Sequence, residues 1–182
     1  FSKGVRNKIQ ETSADGRIVY NDIFPHVKVK RGDGAANLWG IEGNDTNTYL
    51  ATSPTGTATG FGADLMLIDD VIKNEYEARN DNVKEQHWKW FTDTMLSRRE
   101  GKRKVIVVMT RWASDDLAGR LIETLDRQGK KYRLISYKAF DGHSMLCEDI
   151  LSRSQYEDIL QGDTGKDIVE ANYNQSPIDI TG

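Results

Sequence analysis

At 182 residues, 37% apolar and 29% charged, the chain has the composition of a folded domain with its own hydrophobic core. Its net charge of −3 advertises no nucleic-acid partner, and its longest unbroken apolar run, Val105 to Met109, is far too short to span a bilayer. The single cysteine, Cys147, excludes a disulfide within the chain and fits a reducing compartment, and the first ten residues lack a secretory signal's apolar stretch.

Phe1 stands where a full-length protein would carry Met, and the first residues already read as helix, so the chain is expected to be a piece of something longer. Val5 and Ile9 mark the apolar side of that helix, stopped near Gly16. After a turn-rich stretch carrying Phe24-Pro25, the runs Asn37 to Glu42 and Thr48 to Thr52 flank Gly43-Asn44-Asp45 and predict a hairpin. Ser53 to Gly62, rich in Gly, Thr and Ser, reads as loop.

Leu65 to Ile68 and Val105 to Met109 are continuously apolar, the pattern of strands buried on both faces. Between them Asn74 to Arg99 reads as one long helix. Asn74 and Glu77 have capping-box spacing, and Val83, His87, Trp88, Phe91 and Met95 recur at helical intervals. Strand, helix, strand is a βαβ unit, so the two strands should be parallel and close neighbours. Asp115 to Gln128 predicts another helix with Ser114 as N-cap, and Tyr132 to Phe140 a further strand. Ser152-x-x-Gln155 and Thr164-x-x-Asp167 open two short helices, the second ended by Pro177. The expected class is α/β, a single domain with a mainly parallel sheet flanked by helices.

In open parallel sheets ligands bind at the carboxyl ends of the strands. Two such ends are chemically loaded here: Asp69-Asp70 and Thr110-Arg111. Carboxylates at the tip of an apolar strand are costly without a cation or hydrogen-bond donors, and in phosphoryl-transfer sites the cation is Mg²⁺. On that reading Asp69 holds Mg²⁺ through water, Asp70 orients or deprotonates an attacking water, and Thr110 hydrogen-bonds that water or senses a γ-phosphate. Arg111 offers a fork of donors to a phosphate or a neighbouring subunit. The structural alternatives are that Asp70 caps the turn into Val71-Ile72-Lys73 and that Arg111 pairs with Asp115 or Asp116, the latter slightly favoured.

Other chemistry-bearing residues read as structural. His143 and Cys147 lack a second ligand pair for zinc and suggest a loop histidine and a buried thiol. Trp88, Trp90, Phe91 and Trp112 fit a helix face packed on the sheet rather than a base-stacking platform. The cluster Arg98, Arg99, Lys102, Arg103, Lys104 lies at a helix end opposite the loaded strand tips, where cations complement the helix dipole. No phosphate cradle is present: Gly162-Asp163-Thr164-Gly165-Lys166-Asp167 lacks the first glycine and the Ser/Thr hydroxyl of a P-loop and follows a helix.

Thr59-Gly60-Phe61-Gly62-Ala63-Asp64 through Asp69-Asp70 to Asn74 resembles the Walker B region of tailed-phage terminase large subunits. Val107-Val108-Met109-Thr110-Arg111-Trp112 with Asp115-Asp116-Leu117-Ala118-Gly119-Arg120-Leu121 is similar to the same family's coupling motif and the helix after it. Ser2 to Arg6, Ile23-Phe24-Pro25 and Ala171-Asn172-Tyr173-Asn174-Gln175-Ser176-Pro177 stand in family order, so the resemblance covers nearly the whole chain.

The resemblance implies the later part of a RecA-like ATPase domain of the additional-strand type, in a motor that uses ATP and Mg²⁺ to package viral DNA. Its P-loop is expected upstream of Phe1 and its nuclease carboxylates beyond Gly182, so the 182 residues alone should neither bind ATP tightly nor hydrolyse it. The implied partners are double-stranded viral DNA, the small terminase subunit, the portal protein and further copies in a ring, in the cytoplasm of a bacterial host and without a membrane. Many relatives carry Glu where Asp70 stands. The shorter side chain withdraws the carboxylate by about 1.5 Å, so a base role at Asp70 requires a bridging water or a shifted backbone. The competing readings are a helicase-type ATPase, which would usually show Ser-Ala-Thr near Met109 to Trp112, and a non-catalytic interaction module.

Overall fold

The computed structural model describes residues 2–12, 15–32, 35–56, 60–98, 104–162 and 165–177. They fall into two compact units, Phe1–Ala58 and Thr59–Gly182, whose division lies within the stretch read as loop.

In the first unit, helix α1 (Ser2–Gln10) precedes a single helical turn, α2 (Tyr20–Ile23). The expected hairpin is present in shortened form. Strands β1 (Leu38–Trp39) and β2 (Tyr49–Leu50) pair antiparallel, with Leu38 opposite Leu50 and Trp39 opposite Tyr49. Trp39 organises this unit. Its ring is buried and stacks on Tyr49 at 4.5 Å between centroids, and its indole N–H donates to Ser2 Oγ at 3.1 Å, so the one polar atom of the ring is satisfied.

The second unit is an α/β arrangement with a small parallel sheet flanked by helices. Strand β3 (Leu65–Asp69) runs parallel to β4 (Lys104–Val108), in a register that sets Leu65 against Lys104 and Asp69 against Val108. The connection between them carries helices α3 (Glu75–Ala78) and α4 (Asp81–Lys89), continued by a π-helical turn (Trp90–Met95) and a 3₁₀ turn (Leu96–Arg98). Helix α5 (Leu117–Arg127) follows β4. Ile68, Phe91 and Leu117 form the buried centre where one face of the sheet meets these helices. A second centre of Met145, Tyr156 and Val169 joins helices α6 (Arg153–Gln161) and α7 (Lys166–Asn172) to the Phe140 loop. There the Arg153 guanidinium lies 3.9 Å from the centre of the Phe140 ring, a cation–π contact.

Several expectations are corrected. Burial along β3 alternates: Met66 and Ile68 are nearly inaccessible, whereas Leu65 and Leu67 are 56% and 61% exposed, and Ile106 and Val108 on β4 are 47% and 50% exposed. A continuous apolar run therefore marks two apolar faces, of which helices cover one. The expected long helix is broken at Arg79-Asn80. The Asn74 side chain caps α3 by accepting from the Glu77 amide, and Asn80 caps α4 by accepting from Asn82 and Val83. Glu77 reaches back to the Lys73 amide rather than to Asn74, so the capping box is only half closed.

The N-cap of α5 is Asp116, not Ser114, and the two acids precede the helix instead of filling its first turn. Lys130 to Lys138 forms neither helix nor strand and pairs with no strand among the described residues, and Leu134, Ile135 and Tyr137 are more than half exposed. Helix α1 ends at Gln10, before Gly16, and α7 ends at Asn172, before Pro177. Cys147 is exposed. Thr164, the expected cap of the last helix, and Arg99, Lys102 and Arg103 of the basic cluster lie outside the described residues.

His87, half-buried on α4, has a buried Nδ1 without a hydrogen-bond partner among the described residues. Burial lowers its pKa below the ordinary histidine value; Glu77 opposes that shift and Lys73 adds to it. The unfolded chain thus takes up a proton that the folded chain resists, so the stabilising contribution is present above about pH 6.5 and is lost as pH falls toward the lowered folded value. Urea denaturation of the parent and His87→Gln at pH 7.5 and 5.5 should show the parent losing more stability across the interval than the variant.

Candidate functional site

The parallel register brings the two loaded strand ends side by side. Asp69 is the last residue of β3 and lies opposite Val108, two residues before Thr110. The ladder continues one step further, with the Asp70 amide donating to the Val108 carbonyl at 2.9 Å. There the chain turns, and Asp70 adopts φ +43°, a left-handed conformation that is uncommon outside glycine and several-fold commoner in Asp and Asn than in most residues. The turn breaks the two-residue alternation of the strand, so successive carboxylates stand at one tip without being on simple opposite faces.

Asp69 and Asp70 are both exposed. Among the described residues neither carboxylate has an ion-pair or hydrogen-bond partner, so the turn-capping role open to Asp70 is not taken up. Each retains its acceptor lone pairs for a ligand. No group of three or more His, Cys, Asp or Glu side chains among the described residues is placed to hold a metal. Two adjacent carboxylates do match the donor set of Mg²⁺, which keeps several waters and takes only one or two protein oxygens alongside phosphate. No backbone cradle for phosphates accompanies them, and the Gly162 to Asp167 segment is interrupted by residues outside the description.

Thr110 is half-buried on the neighbouring strand exit. Arg111 is committed elsewhere. Its Nε donates to both carboxylate oxygens of Asp116, at 3.1 and 3.0 Å, and its Nη2 reaches the carbonyls of Ala113 and Ser114 at 3.4 and 3.3 Å. This is the structural alternative, a pairing with Asp116, the N-cap of α5. Asp116 is fully buried and also accepts from the Gly119 amide at 2.9 Å. Burial pushes its pKa above the ordinary carboxylate value, against the pull of the Arg111 guanidinium.

Comparison with family models, curated proteins and solved structures returns no match. The site therefore stands on its own geometry.

Three contributors were not singled out from sequence. Lys84 is almost buried and bridges Asp81 at 3.0 Å and Asp115 at 2.6 Å. Burial works against its ammonium charge, but the bonds to Asp115 and Asp81 outweigh it and hold the pKa above the ordinary lysine value. Gln175 accepts from the Arg111 amide at 3.3 Å from 64 residues away, which no local pattern announces.

Gly119 was quoted only as part of a motif, although a glycine within an apolar-periodic helix signals close approach. A Cβ there would fall 1.7 Å from the Ser114 carbonyl oxygen and 2.9 Å from Arg111 Nη2. Gly119→Ala should accordingly destabilise the chain by about 2–3 kcal/mol, read from the denaturant midpoint at unchanged slope.

Proposed function

We propose that this chain supplies the metal-and-water side of an ATP-hydrolysing site, in the RecA-like motor domain of a tailed-phage terminase large subunit that packages viral DNA. The observation that carries the reading is the pair of exposed, unpartnered carboxylates Asp69 and Asp70 at the tip of one parallel strand, beside the Thr110 exit of the next. Structural acids at strand ends commonly cap turns or pair with cations; among the described residues these do neither.

In the proposed site Asp69 holds Mg²⁺ through water, and Asp70 accepts a proton from the attacking water. Thr110 hydrogen-bonds that water, while Arg111 acts from behind by fixing the strand exit. Bound Mg²⁺ would neutralise charge developing on the phosphates. The phosphate cradle must come from a P-loop outside these 182 residues. The left-handed backbone at Asp70 is relevant to its length: a shifted main chain is one way for Asp to reach where a longer Glu would otherwise stand.

The adjacent parallel strands β3 and β4, with Asp69-Asp70 at the end of one and Thr110 two residues beyond the other, agree with a RecA-like sheet of the additional-strand type. The motif pair beginning at Thr59 and Val107 favours the terminase over the helicase reading, and the wider proposal follows from it. Double-stranded viral DNA, the small terminase subunit, the portal protein and copies in a ring are the partners, and the host cytoplasm is the site of action.

The test is made in the protein that carries this chain together with its P-loop. Asp69→Ala should abolish Mg²⁺-dependent ATP hydrolysis, and Asp70→Asn should lower kcat by about 100-fold or more, with unchanged circular dichroism for both. Turnover close to the parent's in Asp69→Ala would remove this residue from the site and the proposal with it.

A further inference from the structure

The exit of β4 is held from a distant part of the chain. Between Val108 and the α5 cap, the Arg111 amide finds its partner in the side-chain oxygen of Gln175, at 3.3 Å. The same side chain donates from Nε2 to the Asn172 carbonyl at the end of α7, at 2.9 Å. One amide group therefore spans the last turn of a helix and the backbone of the strand exit.

Gln175 does this in a conformation that its residue type disfavours. Its φ is +54°, the left-handed region, where a side chain larger than Asn or Asp is uncommon. Such a residue persists only where its surroundings over-determine it. Here the Ser176 amide donates to the Glu170 carbonyl at 2.9 Å, and the Tyr156 hydroxyl donates to Asn174 Oδ1 at 3.1 Å. Val169, fully buried, roots α7 in the core that it shares with Tyr156 and Met145. The strained residue thus sits on a firm base and reaches outward to Arg111.

We infer that Gln175 is a positioning residue for the proposed site: it clamps the Thr110-Arg111 backbone to the α6–α7 core and so fixes Thr110 beside the Asp69-Asp70 tip. The functional consequence rests on the hydrolysis reading above, whereas the clamp itself does not. Arg111 is held on two sides, its guanidinium by Asp116 and its amide by Gln175, so the first bond orients α5 and the second sets the strand exit. A shift of the α6–α7 core would reach the strand exit through this side chain.

Two substitutions separate positioning from simple stability. Gln175→Gly removes the clamp while suiting the left-handed backbone, so the variant should melt no lower than the parent. Its Arg111 amide should nevertheless exchange with solvent at least tenfold faster, followed by NMR in the ¹⁵N-labelled chain. Gln175→Glu retains an acceptor for that amide and should keep exchange within about threefold of the parent. In the ATP-hydrolysing protein, Gln175→Gly should lower kcat about tenfold with KM for ATP within twofold.

Unchanged Arg111 exchange in Gln175→Gly overturns the clamp, and an unchanged kcat overturns its positioning role. Failure of the hydrolysis reading is told apart by Asp69→Ala: turnover that does not depend on Asp69 sinks that reading, while Arg111 exchange still judges the clamp.

Discussion

The pairing of half-buried Arg111 with fully buried Asp116 is the constraint on which the second unit turns. Taking a carboxylate wholly out of water costs several kcal/mol even after relaxation, and the structure returns it with both Nε contacts, the Gly119 amide and the cap of a helix. Because Arg111 follows directly from the strand and Asp116 opens α5, the pair fixes the angle at which the chain leaves the sheet. Gly119 is what permits it, since any side chain would strike the Ser114 carbonyl. Lys84 and Arg120 extend the same polar layer: Lys84 joins α4 to Asp115, and Arg120 joins α5 to Glu85 at 2.7 Å. Beneath that layer Ile68, Phe91 and Leu117 close the apolar centre. Thr110 is placed by these contacts although it makes none of them.

The sheet and its helices were legible where a local pattern sufficed. Leu65 to Ile68 and Val105 to Met109 announced two parallel strands because each run is too short for a helix and a helical pattern lies between them, which makes a βαβ unit. Ser152 and Gln155 announced a helix start that closes as a full capping box. What failed needed information that no window holds. Alternation of burial along β3 depends on whether something covers the second face, and Leu65, Leu67, Ile106 and Val108 are left half open. Tyr132 to Phe140 has the composition of a strand, but a strand exists only with a partner edge, and only Phe140 finds one, bridging Met145. Ser114, Asp115 and Asp116 are all good N-caps; the reach of Arg111 chose among them.

The site shows the same division. Asp69 and Asp70 were singled out from strand-end position and chemistry alone, and among the described residues their carboxylates have no partner. Arg111, for which a pairing with Asp115 or Asp116 was the favoured alternative, pairs with Asp116. The left-handed turn at Asp70 and the long-range bond from Gln175 had no sequence signature, because each is set by tertiary contacts. Both fall at the end of the parallel pair, where backbone strain is most often associated with function.

Asp69 and Asp70 are proposed as a divalent-cation site at the strand tip. Titrating the ¹⁵N-labelled chain with Mn²⁺ against a Mg²⁺ competitor tests it without requiring hydrolysis. Paramagnetic broadening should begin at the amides of Asp69, Asp70 and Thr110, be reversed by Mg²⁺, and vanish in Asp69→Ala. Broadening that spares the strand tip, or that persists unchanged in the variant, would contradict it.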